Sequence, residues 1–278
     1  MADDKLDWAL PVMRTGYAGR GMTYVVVAGI SLFAIWQGGQ AVGTGEALAS
    51  LERSSWGLVL LSAIGVGLIC YMGWRLLDAA LDLEDYGTDG KGLIARIGMV
   101  VTGLVHGALG AVAIGLAANG QSSGGGDEGS GIAKATEAVM SAPFGVFLVG
   151  FAGLCTIGAG IYYLHKAWKQ TYLEKLMANE FTRNWNGALR AGVAAQGVVV
   201  TIVGVFLTYA ALTANPNEAG GLGETFAWLS EQAYGRILVT ALCLGLLGFA
   251  LFLFVNAAYR IVPRLKDPDM TSLAQALR

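Results

Sequence analysis

The chain has 278 residues, of which 41 are glycine and 38 are charged, 18 basic and 20 acidic, for a net charge of −2. Ordinary soluble domains carry roughly 7% glycine and about 25% charge. At 55% hydrophobic and 14% charged residues, the composition argues against a soluble enzyme and excludes disorder, and its excess apolar surface calls for lipid.

Met1–Arg14 contains Asp3, Asp4 and Asp7 and shows no small-residue cleavage site behind a short apolar core, so no cleavable leader is expected and the first span is retained. Six windows of at least 20 residues lack Asp, Glu, Lys and Arg: Gly21–Gly45, Ser54–Trp74, Ile97–Gly126, Ala138–His165, Ala191–Asn217 and Ile237–Tyr259. About 20 helical residues cover the roughly 30 Å of a bilayer core, so each window crosses once. The fold class expected is all-α, a polytopic bundle of six spans forming one membrane domain, followed by a short cytoplasmic tail over 264–278. Of the basic residues, 15 fall on the side of the termini and only Arg53, Lys134 and Arg236 on the other. That asymmetry places both termini in the cytoplasm of an inner membrane.

The pattern Arg-x-Gly-x4-Gly opens each odd span: Arg14, Gly16 and Gly21; Arg96, Gly98 and Gly103; Arg190, Gly192 and Gly197. Each interval holds two spans, so the repeating unit is a hairpin, with boundaries near 13–86, 93–180 and 187–263. In the even spans Gly145 and Gly235, Gly158 and Gly248, and Tyr162 and Phe252 each stand 90 residues apart. Two-span units all enter the membrane in one direction, which predicts a pseudo-threefold axis along its normal. Each hairpin turns through a Gly-rich connection, Gly38–Gly57, Gly120–Gly145 or Gly220–Gly235. In these connections Glu46–Ser55, Ile132–Ala142 and Glu224–Ala233 have the apolar spacing of short surface or mouth-capping helices.

The run from Arg14 to Tyr24, its counterparts at Arg96 and Arg190, and the Gly67–Tyr71 element together resemble a bacterial integral-membrane family of three two-helix repeats, domain of unknown function 1206. The resemblance covers about Met13 to Pro263. It implies the six-span layout and a bacterial inner-membrane location, and it brings no activity or ligand. Tyr24 of the first repeat is replaced by His106 and Val200 in the others. Mitochondrial carriers share the three-hairpin plan, but their odd-helix Pro and acidic-to-basic signature is missing here, which leaves an analogy of layout.

Steps of seven from each repeat arginine stay on nearly one helix face and meet small residues: Gly21 and Ala28; Gly103, Gly110 and Ala117; Gly197, Gly204 and Ala211. These stripes read as close helix packing. The sharper alternative is a central pathway beneath a ring of Arg14, Arg96 and Arg190, although arginines at helix ends commonly reach back to headgroups. His106 lies about 15 Å beyond Arg96 by helical rise, near mid-bilayer, where an ionisable group suggests a proton relay or ligand contact but also serves as a plain interhelical hydrogen bond. Arg20, Thr102 and Gln196 share one repeat position and would form a polar layer if they faced inward. Tyr71 and Asn256 are lesser candidates for hydrogen bonds between helices.

Cys70, Cys155 and Cys243 form no metal spacing and read as small packing residues. Two histidines and no intramembrane carboxylate leave haem, di-metal and zinc sites without obvious ligands, so no cofactor is expected. Gly124–Gly126 lacks the Lys and Ser or Thr of a phosphate loop, and no Ser, His and carboxylate set converges. Trp168, Tyr172, Phe181 and Trp185 among basic residues fit an interfacial belt rather than nucleic-acid binding, and Lys166–Met177 reads as an extension of the fourth span along the headgroups. The partners expected are the bilayer and another membrane protein. Because buried charge looks nearly absent, the first functional reading is a non-enzymatic structural or partner-binding subunit. The runner-up is a transporter or channel for a small solute or lipid.

Overall fold

A computed structural model describes residues 8–52, 54, 56–119, 128–263 and 272–276. Its helices in chain order are α1 (Ala9–Trp36), α2 (Thr44–Glu52), α3 (Gly57–Leu81), α4 (Gly90–Asn119), α5 (Glu128–Met140), α6 (Gly145–Lys169), α7 (Glu180–Asn184), α8 (Asn186–Thr213), α9 (Leu222–Ser230), α10 (Gly235–Tyr259) and α11 (Leu273–Ala276). Six of them, α1, α3, α4, α6, α8 and α10, are long and apolar enough to cross a bilayer. A helix suits that role because it bonds every backbone group within its own segment. The chain is a multi-pass membrane protein.

Each even span starts on a glycine that nothing larger could replace. A Cβ on Gly57, Gly145 or Gly235 would lie 1.6, 1.9 or 2.1 Å from the carbonyl oxygen of Leu51, Val139 or Ser230. These are the last turns of α2, α5 and α9. The chain therefore doubles straight back from each short helix into the next span. The three short helices match the amphipathic segments expected of the connections, and they pack together across the mouth rather than lying apart from the bundle. Leu48 and Phe226 are fully buried beneath them.

The glycines of the repeat motif serve two different surfaces. Gly21, Gly103 and Gly197 face the preceding even span, where a Cβ would meet the Phe254 ring, Arg75 Cβ and Leu164 at 3.0, 3.0 and 2.9 Å. These are the seams between repeats, and Gly110 and Gly204 continue them against Gly65 and Ile157. Gly16 and Gly192 face the even span of their own repeat. A Cβ on Gly16 would fall 2.6 Å from Tyr71 Cα, and one on Gly192 2.2 Å from the Gly248 carbonyl carbon. Contacts this close between backbones are how helices gain packing energy in lipid, where no hydrophobic effect drives them together.

The second repeat departs from this plan. All three seams between repeats are packed, α3 on α4, α6 on α8, and α10 on α1, and so are the internal pairs α1·α3 and α8·α10. Among the described residues α4 and α6 share no comparable packing, and Gly98 and Gly158, the equivalents of Gly192 and Gly248, have nothing within 4 Å of an added Cβ. The pseudo-threefold arrangement expected from the repeats is not confirmed: the six spans pack as an arc with one open side. The connection between these two spans is the longest of the three.

One further expectation is corrected on the face where α1 begins and α10 ends. The fourth span does not extend beyond Lys169. Gln170 turns into the left-handed region (φ 54°) and Thr171–Lys175 forms a 3₁₀ turn. Tyr172, Leu173 and Leu176 are buried against the bundle while Trp168 stays exposed. The tail expected over 264–278 is anchored where it is described, since Leu273 N–H donates to the Leu176 carbonyl (2.7 Å) and the Leu273 side chain is fully buried. Ile261 N–H donates to Lys175 O and Met177 N–H to Tyr259 O, completing a cover over this face.

Candidate functional site

Beneath the cover, one carboxylate joins all three repeats. Glu84, 2% exposed, lies in the loop after α3. It accepts two hydrogen bonds from Arg260 at the end of α10, Nε to Oε1 at 2.7 Å and Nη2 to Oε2 at 2.6 Å, and one from Lys175 Nζ at 2.9 Å. The Tyr86 hydroxyl adds a fourth, at 3.2 Å. Burial alone would raise the Glu84 carboxyl, but Arg260 and Lys175 outweigh it and hold the group well below the usual carboxylate range. Burial likewise pushes the Tyr172 hydroxyl up to about 12. Local hydrogen bonds hold the loop in the shape that presents Glu84. Asp82 sits in a left-handed conformation, its carboxylate accepts from Tyr86 N–H and Gly87 N–H, and Asp78 Oδ1 accepts from Glu84 N–H.

A polar column descends from this clasp into the bundle. Arg260 also donates to Asn256 Oδ1, and its guanidinium lies 5.2 Å from the centre of the Tyr17 ring. Tyr17 meets Tyr71 edge to face at 5.5 Å. The Tyr71 hydroxyl accepts from two guanidinium groups, Arg20 Nη1 at 2.7 Å and Arg75 Nε at 2.9 Å. Arg75 has a carboxylate, Asp78, at 3.7 Å. Arg20 has aromatic faces instead, with Tyr71, Phe249 and Tyr24 centred 5.1, 5.4 and 5.8 Å from its guanidinium carbon. Among the described residues no carboxylate lies within ion-pair distance of Arg20, and its Nε has no partner.

Around Arg20 the structure gathers the polar layer read from the repeats. Gln196 is buried with its Oε1 unpartnered, and the Tyr24 hydroxyl lies beside both Gln196 and Arg20. His106 stacks edge to face on Tyr71 at 5.2 Å, and its Nδ1 lies 2.8 Å from the Thr102 carbonyl. A carbonyl can only accept, so this nitrogen carries the proton. Thr102 turns its hydroxyl back to Gly98 O within its own helix and offers the layer only its backbone. Lys166 of α6 lies toward the clasp, within electrostatic reach of Arg260 and Glu84. It is half-buried, its Nζ is 6.0 and 5.8 Å from the Tyr163 and Phe252 rings, and no carboxylate lies within ion-pair distance among the described residues.

The repeat arginines stand elsewhere. Arg96 donates to Ala79 O and Ala80 O at the end of α3, and Arg190 to Ala167 O at the end of α6. Each satisfies the last carbonyls of the preceding even span, at the negative end of its dipole. Arg14 is exposed. The three do not form an inner ring. Asn256 donates to Phe252 O of its own helix rather than to a neighbour.

The expectation that buried charge is nearly absent is overturned by Arg20, Asp78, Asp82 and Glu84, which are buried, together with the mostly buried side chains of Arg75 and Arg260. The charge-free windows started too late or ended too early to enclose them, since α1 carries Arg20 internally and α3 runs past Trp74 through Arg75 and Asp78. The spacing of Arg75 with Asp78, and of Asn256 with Arg260, one helical turn apart at span ends, was the signal available. Nothing in the sequence pairs Glu84 with residues 91 and 176 positions away.

Fold and column together define a polytopic bundle of three parallel hairpins, open on one side, with a cation-rich interior near the face where its spans begin and end. The chain belongs to the family described as Domain of Unknown Function (DUF1206), whose model matches residues 15–82, 97–170 and 191–260, one segment per hairpin. It is 27% identical over 257 residues to the uncharacterized protein YxxB of Bacillus subtilis, covering 91% of this chain and 92% of that one. No solved structure matches it.

Proposed function

We propose that this protein binds an anion within the cytoplasmic half of the bilayer and serves the passage of a small anionic solute or lipid rather than catalysing a reaction. Arg20 carries the reading. A guanidinium 4% exposed inside a membrane span, with one nitrogen unpartnered and no carboxylate within ion-pair distance among the described residues, holds a charge whose burial costs several kcal/mol. A ligand anion offsets that cost. Lys166 adds a second cation with no carboxylate within ion-pair distance among the described residues, while Arg75, Lys175 and Arg260 each have one. The positive-inside count supports placing this end in the cytoplasm of a bacterial inner membrane.

The test is a thermal-shift series on purified protein in an uncharged detergent with phosphate, short-chain carboxylates and short-chain phosphatidic acid. Anions raise the melting temperature of the native chain, and the rise is lost in Arg20→Gln with Lys166→Gln. A series in which no anion stabilises the chain refutes the reading. A second reading, a partner-binding subunit, is favoured by α4 and α6 being the two least buried spans. Its test is co-purification of one stoichiometric membrane protein that departs when Gly98 and Gly158 are enlarged.

A further inference from the structure

We infer that the ligand is an anionic phospholipid entering sideways between α4 and α6, with its acyl chains along the open seam and its phosphate at Lys166 in the field of Arg20. This inference rests on the anion reading above.

The route follows from what is closed. On the side of the termini, Tyr172, Leu173, Leu176, Val262 and Leu273 bury themselves over the Glu84 clasp. At the other end, α2 and α9 seat Leu48 and Phe226 over a continuous apolar core that includes Leu61, Ile64, Leu68 and Leu246. Five of the six lateral seams are packed. What remains is the side facing lipid between α4 and α6.

That side is apolar and unpacked. Gly98 and Gly158 face open space, so the depth that a neighbouring backbone occupies at Gly192 and Gly248 is here available to a slender guest. Val101 and Val105 follow Gly98 at three and seven residues, and Leu154 and Ile161 flank Gly158 at four and three, so they share those helix faces. All four are more than half exposed. Near the end of the same α6 stands Lys166, whose charge lies over Tyr163, which meets Phe249 at 6.4 Å, which in turn faces Arg20. An apolar, unpacked side and two cations with no carboxylate within ion-pair distance among the described residues thus meet as the tails and head of an anionic lipid do. In a low-dielectric interior the second cation strengthens binding without touching the phosphate.

The experiment is native mass spectrometry of the full chain, released from nanodiscs of equal phosphatidylglycerol and phosphatidylcholine. A parallel thermal-shift titration uses inorganic phosphate. The native chain should retain one phosphatidylglycerol, at least tenfold over phosphatidylcholine. Lys166→Gln and the double variant Gly98→Phe/Gly158→Phe should each lower that retention about tenfold, while Lys166→Arg keeps it. An added Cβ at either glycine meets nothing within 4 Å; a melting temperature equal to that of the native chain checks that the double variant is folded, and its phosphate response should match the native one. Equal retention of the two lipids, unchanged retention in the seam-filled variant, or a protein chain occupying the seam overturns the inference. A phosphate response without lipid retention defeats the lipid inference and leaves the anion reading standing. Absence of both defeats both.

Discussion

Replacing Glu84 by Gln keeps the shape of the clasp and removes its charge. The side chain is fully buried, and so nearly is that of Arg260, 6% exposed, whereas Lys175 is 28% exposed. Breaking a buried pair by neutralising one partner costs about 3–5 kcal/mol, chiefly because the other charge stays buried without compensation. The Lys175 contact lies nearer the surface scale of roughly 0–1 kcal/mol. Taken together, Glu84→Gln should cost about 3–5 kcal/mol, nearly all through Arg260. At roughly 2–4 °C per kcal/mol for large domains, this predicts a fall in melting temperature of about 6–20 °C. Lys175→Gln should cost about 4 °C or less. The assay is thermal unfolding in detergent, followed by intrinsic fluorescence. The pH dependence is fixed by sign: Glu84 is depressed in the folded state, so its contribution is complete above the ordinary carboxylate value and is lost only as pH falls below it toward the folded value. The gap between native and variant should therefore be constant from pH 8 to pH 5. A gap that closes within that window, or a Glu84→Gln shift no larger than that of Lys175→Gln, refutes the claim that one carboxylate ties the three repeats.

Seam glycines should respond to alanine according to what they face. Gly192→Ala places a Cβ 2.2 Å from the Gly248 carbonyl carbon and should cost about 1–3 kcal/mol. Gly98→Ala meets nothing and should be neutral or stabilise by up to about 1 kcal/mol through helix propensity; equal melting temperatures for the two variants would contradict the open seam. Arg96→Gln and Arg190→Gln should each cost about 0.3–1 kcal/mol as helix-end partners and leave anion response intact. A lost response would return those arginines to the site. Tyr71→Phe removes the acceptor shared by Arg20 and Arg75, and at about 1.5–3 kcal/mol per hydrogen bond to a charged group it should melt well below the native chain. A native melting curve would show that the hydroxyl is not holding either guanidinium.

The spans, the hairpin repeats and the amphipathic connections were legible because each rests on a local pattern. Lack of charge marks a span, the Arg-x-Gly motif marks a start, and apolar spacing marks a surface helix. The polar layer was half legible. Arg20 and Gln196 could be placed at one depth because they share a repeat position, but Thr102, at the same position, turns back to its own helix. The clasp was not legible at all, since Glu84, Lys175 and Arg260 meet only through the folding of loops that follow three different spans. Nor was the open seam: Gly98 and Gly158 are spelled like their packed counterparts, and what distinguishes them is the absence of a neighbour.

The features common to the repeats and the features that break their symmetry divide the molecule into scaffold and site. Glycines at the seams and at the starts of the even spans recur in every unit, and the motif arginines cap span ends in two of the three. Their chemistry is complete in packing and in satisfied carbonyls. The positions that differ are Arg20 against Thr102 and Gln196, and Tyr24 against His106 and Val200. Arg20, Gln196, Tyr24 and His106 converge with Tyr71 around an uncompensated charge, in the same bundle that leaves one internal seam unclosed. A sixth packed seam and a neutral residue at position 20 would cost less in packing and desolvation alone. The proposed admission of an anionic guest from the side accounts for both departures together.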